Sequence, residues 1–314
     1  WWKNQFPQSQ FSYLNAGIGA TCSNFGLARV KRDVLSKKPD LIFVEYSVND
    51  QGNNHYKESY EGLLRKILKS SWDIAVILIN SVRYDTGDNA QDYHNPVGKY
   101  YNLPIISMKN SIYDEIKKGN IKRKDITFDD LHPNDQGHRL MADIIIGYLE
   151  KSLSIGDKGG KRKKILKKPL TNNGYEDAIL YQNDNSFPQL EGFQSDKRPQ
   201  DGIRDVFKKG WYARQVGDKI RFDILGGNIG IQYRKSVTRK APIAYAYIDG
   251  DRQNRIKLDG NFQEDWGDYL SLTYILKDGA AIEHTIEIEI DEIPKDCEVD
   301  FYLVSVIASK RHGI

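Results

Sequence analysis

The chain has 314 residues, enough for two domains that each bury a core. Its 39% apolar and 28% charged residues are the composition of a globular protein, and no apolar run reaches membrane-spanning length. A formal net charge of +3 is too small to argue for a nucleic-acid partner, and the two cysteines, Cys22 and Cys297, fall in different predicted domains and leave the redox compartment open.

The first residues, Trp1-Trp2-Lys3-Asn4-Gln5-Phe6-Pro7, carry no initiator Met and no signal-peptide pattern, and read as the end of an amphipathic helix cut in mid-course. Phe11–Ile18 is predicted as a strand that opens into a Gly-rich turn. Gly26–Ser36 follows as a helix with Leu27, Val30, Val34 and Leu35 on one face. Leu41–Val44 is a continuous apolar run, expected in a strand buried on both faces. Tyr56–Leu68 has helical spacing, Asp73–Asn80 reads as a further buried strand, and Leu103–Ser107 as a shorter one. Pro133 is placed in the first turn of a helix running through Leu140, Met141, Ile144, Ile145 and Tyr148. This alternation predicts an α/β fold, a three-layer α/β/α parallel sheet of flavodoxin-like form, with its site at the carboxyl ends of the strands.

Ser154–Lys168 differs in kind. Its glycines and the runs Lys161-Arg162-Lys163-Lys164 and Lys167-Lys168 read as a basic, solvated linker over about residues 153–170. From 171 onward the apolar period becomes two, as in Lys219–Ile224, Thr285–Ile290 and Asp300–Ala308. Turn residues at Gly226-Gly227-Asn228, Asp249-Gly250-Asp251, Asp259-Gly260-Asn261 and Asp278-Gly279 separate these runs. They predict an all-β sandwich, jelly-roll-like, spanning 171–314.

Three segments carry chemistry. In Asp129-Asp130-Leu131-His132-Pro133-Asn134, followed by Gly137-His138, an Asp three residues before a His can fold back and accept the imidazole Nδ1–H. That leaves Nε2 as a general base. Asp129 is preferred to Asp130 for this role, and His138 is read as structural. In Phe43–Asp50, at the end of the apolar run, Asn49 can offer its side-chain NH₂ to a developing oxyanion, or simply close the strand in an Asn-Asp turn. Asn15–Ser23 is a small-residue loop whose backbone N–H groups can face an anion, and its glycine spacing fits neither dinucleotide nor P-loop patterns. His94, in Asp92-Tyr93-His94, is placed on a loop over the active-site face, as a substrate contact or as a plain surface residue. The histidines show no metal-ligand spacing, and no cofactor is expected.

In order and spacing, Asn15–Ser23, Val44–Asp50 and Asp129–His138 resemble the second, third and fifth sequence blocks of the SGNH (GDSL-like) hydrolase family, over about residues 1–152. The resemblance implies a serine ester hydrolase with His132 as base, Asp129 as its orienter, and Asn49 and the Ala20 N–H as oxyanion donors. Family members usually carry Gly where Ala20 stands. The first block, with the nucleophile serine in a Gly-Asp-Ser segment, is not among these residues. The expected explanations are a chain that starts late, a segment on a separate polypeptide, or a real loss. Ser23 and Cys22 are the alternatives nearby, and neither sits on a strand-to-helix elbow. An SGNH domain joined to a β-sandwich resembles carbohydrate esterases that deacetylate polysaccharides. The expected partner is therefore a small-molecule or glycan ester, with Trp211, Tyr212, Tyr233, Tyr245, Tyr247, Trp266 and Tyr269 available for core packing or sugar stacking. The competing readings are a lipase or acyl-thioesterase of the same fold, and a non-catalytic glycan-binding protein.

Overall fold

The computed structural model describes residues 1–155 and 166–310. Two compact units emerge from its contacts: Trp1–Asn15 with Val34–Thr171, and Ala16–Asp33 with Asn172–Ile314.

In the first unit, a short helix α1 (Trp2–Gln5) opens the chain. The parallel sheet has the order β1 (Leu41–Glu45), β2 (Ala75–Asn80), β3 (Ile105–Ser107), with Leu41 opposite Ala75 and Leu78 opposite Ile105. Only β2 is buried on both faces, because it is the middle strand. As an edge strand, β1 is less buried than its apolar run predicts, and Phe43 is 41% exposed. Phe11–Ile18, predicted as a strand, forms none, and Tyr13 is 71% exposed.

Helix α2 (Ser23–Asp33) clusters with the second unit, whereas α3 (Asn54–Leu68), α4 (Gln91–Tyr100), α5 (Asp114–Lys117), α6 (Arg123–Ile126) and α7 (Asp135–Ser154) belong to the first. Side chains alternate across a strand. Ile77, Ile79 and Ile106 therefore share one core with Leu140, Met141, Ile144 and Ile145 of α7. On the opposite face, Gly98 of α4 lies so close to Leu78 and Ile105 that a Cβ there would come within 2.6 Å of Leu78 Cδ1. Helices cover both faces, and the three-layer parallel α/β architecture is realised.

Helix α7 begins later than Pro133. Its N-cap is Asn134, whose Oδ1 accepts the Gly137 N–H at 3.0 Å, so Pro133 precedes the cap rather than filling the first turn. The end of the basic segment within the described residues is also not simply solvated. Lys167 Nζ donates to Tyr100 O at 2.6 Å, and Lys167 O accepts from Arg65 at 2.8 Å. The Leu170 and Thr171 N–H groups both donate to the buried carboxylate of Glu61. Lys161-Arg162-Lys163-Lys164 lies outside the described residues.

The second unit is antiparallel β throughout its later part. Its strands are β4 (Ile179–Tyr181), β5 (Gln189–Glu191), β6 (Gln194–Ser195), β7 (Trp211–Ala213), β8 (Lys219–Gly226), β9 (Asn228–Lys235), β10 (Ile243–Ile248), β11 (Ile256–Asp259), β12 (Tyr269–Leu276), β13 (Ile282–Glu292) and β14 (Phe301–Ser309). One sheet runs β11-β10-β13-β8-β5. The other runs β12-β9-β14-β7-β6, with β4 on β14. Ile220, Phe222 and Ile224 of β8 meet Ile229, Ile231 and Tyr233 of β9 in a shared core, which makes the two sheets a sandwich. Gly226-Gly227-Asn228 carries the chain from one sheet to the other, as Asp278-Gly279 does between β12 and β13. Cys22 and Cys297, both in this unit, are free thiols.

Candidate active site

The segment between α6 and α7 is a tight loop tied by its own first carboxylate. Asp129 Oδ1 accepts the Leu131 N–H at 3.0 Å and the His132 N–H at 2.7 Å, and Oδ2 meets His132 Nδ1 at 2.6 Å. Thr127 Oγ1 donates to His132 O at 2.8 Å, and an isolated bridge joins Thr127 to Pro133. The His132 bond, with the two backbone N–H groups, holds the Asp129 carboxyl far below the usual aspartate range. A carboxylate can only accept here, so Nδ1 is the donor and Nε2 is left with its lone pair. The imidazole is 77% exposed and so accessible to a ligand. Asp130 turns away: its φ is +62° and it pairs with Arg123 at 3.2 Å. His138 lies in the first turn of α7, with its side chain in solvent. Gly137 has no alternative, because a Cβ at that position would come within 2.3 Å of Ile126 O, in the helix that carries the other end of the loop.

Asn49 occupies a turn just past the carboxyl end of β1. The Asn49 and Asp50 N–H groups both donate to Tyr46 O, at 3.2 and 2.9 Å, and Asn49 is exposed. Ser47 anchors the turn through its N–H and Oγ, both 2.9 Å from Glu45 Oε1, and through Oγ to Ser81 O. Burial raises the Glu45 carboxyl above its ordinary value, against these same bonds. Beyond β2, the loop that receives Ser47 continues to Tyr84, whose N–H donates to Asp130 O at 2.7 Å. The turn holding Asn49 and the loop holding His132 are thus linked through the chain that leaves β2, at the carboxyl side of the sheet.

Ala20, in the segment that clusters with the second unit, has φ +56°, the left-handed region that glycine enters without strain. Thr21 Oγ1 donates back to Ile18 O at 2.7 Å and fixes this turn. Ser23 is fully buried at the start of α2, which removes it as a nucleophile. His94 requires a correction. It lies in helix α4 and not on a loop, and its side chain is 1% exposed, so it does not face a substrate. Its Nε2 is 3.0 Å from Asp50 Oδ2, and its ring stacks on Tyr60 at 3.8 Å. Asp50 and Tyr60 were not singled out as site residues in the sequence. Tyr60 falls within the helical spacing of Tyr56–Leu68, and nothing local connects Asp50 to a histidine 44 positions on. Among the aromatic residues singled out in the sandwich sequence, Trp211 and Tyr233 are core. Tyr245 and Tyr247 lie beneath Arg255 and Arg252, at 4.0 and 3.9 Å. Trp266 is 56% exposed and packs edge-on against Phe262 and Tyr269.

This three-layer parallel α/β unit, accompanied by a β-sandwich, belongs to a carboxylic ester hydrolase by its likeness to known proteins. Residues 1–140 match the family described as GDSL-like lipase/acylhydrolase. The whole chain superposes on the crystal structure of a two-domain esterase (CEX) active on acetylated mannans, at 45% identity and a TM-score of 0.96, covering 84% of that chain. A structure of such an esterase co-crystallised with mannopentaose matches at 44% identity and a TM-score of 0.94, again over 100% of this chain and 84% of the other. No curated protein matches the chain. The chain belongs to the GDSL-like lipase/acylhydrolase family.

Proposed function

We propose that this hydrolase removes acetyl groups from O-acetylated carbohydrate through an acyl-enzyme. The observation that carries the mechanism is the 2.6 Å bond between Asp129 Oδ2 and His132 Nδ1. It fixes the tautomer in which Nε2 is free to take a proton. A serine hydroxyl, which in the family precedes the block matching Asn15–Ser23, attacks the acetyl carbonyl and passes its proton to His132 Nε2. The carbonyl oxygen gains a negative charge, which the Asn49 side-chain NH₂ stabilises; a donor placed in advance is worth about 3–4 kcal/mol in such a site. Collapse of the tetrahedral species expels the sugar hydroxyl, which leaves with the proton from Nε2. Water then repeats the sequence and releases acetate. Asp129 stabilises the imidazolium formed in both halves and is not itself protonated.

The substrate class rests on likeness to two structures of a two-domain esterase (CEX) active on acetylated mannans, each covering the full length of this chain. The test is acetate release by the full-length protein from a panel of acetylated oligosaccharides, alongside lipid esters and thioesters. Acetate release from the mannan-derived members is the expected result. No release from any glycan, with good turnover of lipid esters, overturns the carbohydrate assignment and leaves a lipase of the same fold.

A further inference from the structure

The turn that presents Asn49 is held at both ends by one helix. On its upstream side, Ser47 O accepts the Ala90 N–H at 2.7 Å, and Ala90 is the N-cap of α4. On its downstream side, Asp50 meets His94, one turn further along the same helix, and the His94 N–H itself donates to Ala90 O at 3.1 Å. Asn49 stands between these two attachments, exposed, while the Asp50 and His94 side chains are 0% and 1% exposed. The imidazole is clamped from its face by Tyr60 of α3, with the rings 4° from parallel and Tyr60 fully buried. Burial, with the charges of Glu45 and Asp50, raises the Tyr60 hydroxyl far above its ordinary value, so it stays neutral beside them. A buried carboxylate with a directional partner is costly to break and has few alternative geometries.

We propose that Asp50 and His94 are positioning residues for the reaction, setting the orientation of the Asn49 side chain toward the oxyanion. This rests on the oxyanion reading of Asn49 above. Neither residue touches substrate; both act through the backbone of residues 47–50, where a displacement of about 1 Å is enough to cost of order 100-fold in rate.

The experiment is a mutant cycle in the full-length protein, read as kcat and KM for acetate release, with folding checked by near-UV circular dichroism. His94→Leu is expected to lower kcat about 10- to 100-fold with KM within about twofold, because the lost interaction belongs to the transition state. Asn49→Ala is expected to lower kcat about 100- to 1000-fold. The double variant should be no slower than Asn49→Ala within about threefold, since the donor that His94 positions is already gone. A purely structural role for His94 gives losses that multiply instead, and that result overturns the proposal, as does a His94→Leu variant with unchanged kcat. Should His94→Leu fail to fold, His94→Gln decides the matter. Its amide can still donate to Asp50 and should keep kcat within about tenfold of the parent, and a loss as large as that of a non-donating His94→Met variant refutes the hydrogen-bond argument. If Asn49→Ala itself leaves kcat unchanged while His132→Ala abolishes turnover, the oxyanion reading fails and this proposal falls with it. If His132→Ala also has no effect, the mechanism proposed above is what has failed.

Discussion

Replacing Asp129 by Asn isolates the orienting role, because it removes a charge and leaves the shape. In the parent, Oδ1 accepts two backbone N–H groups, from Leu131 and His132, and Oδ2 takes the His132 Nδ1–H. An asparagine keeps both backbone bonds only if its oxygen stays on the Oδ1 side. Its NH₂ then faces Nδ1, which must become an acceptor, and the ring proton moves to Nε2. The base is thereby in the wrong tautomer. Flipping the amide restores the tautomer but forfeits two backbone bonds, each worth about 0.5–1.5 kcal/mol net, so the competent form is the minority by about 5- to 150-fold. Loss of the negative charge that stabilises the imidazolium adds to this, and the expected fall in kcat is about 10²–10⁴. Stability should hardly change, because His132 and Asp129 are 77% and 54% exposed and exposed pairs contribute less than about 1 kcal/mol. The assay is acetate release by the full-length protein, with thermal unfolding in parallel. A fall smaller than about tenfold in a normally folded variant refutes the orienting role.

Gly137→Ala should push α7 away from Ile126 O and cost about 1–3 kcal/mol in urea unfolding, with activity falling as the Asp129–His132 loop shifts. Glu61→Ala removes the acceptor of the part-buried Leu170 and Thr171 N–H groups and Tyr101 hydroxyl, and should cost about 1–3 kcal/mol in the same measurement. Burial alone would raise the Asp196 carboxyl, but Arg198 and the Tyr302 hydroxyl bring it down to about 2. A depressed carboxyl stabilises the fold above its unfolded value and loses that contribution as pH falls toward its folded value. The sandwich should therefore lose about 2 kcal/mol between pH ~5 and ~2, and Asp196→Asn should flatten that stretch of a stability–pH curve. Ala20→Gly should be tolerated within about 1 kcal/mol, since relief of the left-handed strain offsets glycine's added unfolded-state freedom. Ala20→Val, β-branched at φ +56°, should lower thermal stability more than Ala20→Gly does.

The sequence spoke most clearly where structure is local. Asp129 and His132 meet because an i, i+3 spacing closes through two backbone bonds inside the same loop. The apolar run ending at Asn80 is a buried middle strand, as its composition requires. Reading failed where partners are remote. His94, expected on a loop, lies in the helix Gln91–Tyr100, and its partner Asp50 is far along the chain. Phe11–Ile18 has apolar residues suited to a strand, yet it joins neither the parallel sheet nor the sandwich. Asn228–Lys235 is a strand whose first six residues are all buried, so the period-two pattern that marks β8 is missing from it. The allegiance of Ser23–Asp33 to the second unit is a fact of long-range contacts, including Arg32 with Gln182, that no helical periodicity carries.

The most direct measurement compares the full-length protein with its His132→Ala variant in acetate release from an acetylated manno-oligosaccharide. Acetate should appear with the parent, and kcat should fall by about 10³-fold or more in the variant, with KM little changed. A folded His132→Ala variant that retains kcat within about tenfold of the parent would contradict a mechanism in which this imidazole carries the proton.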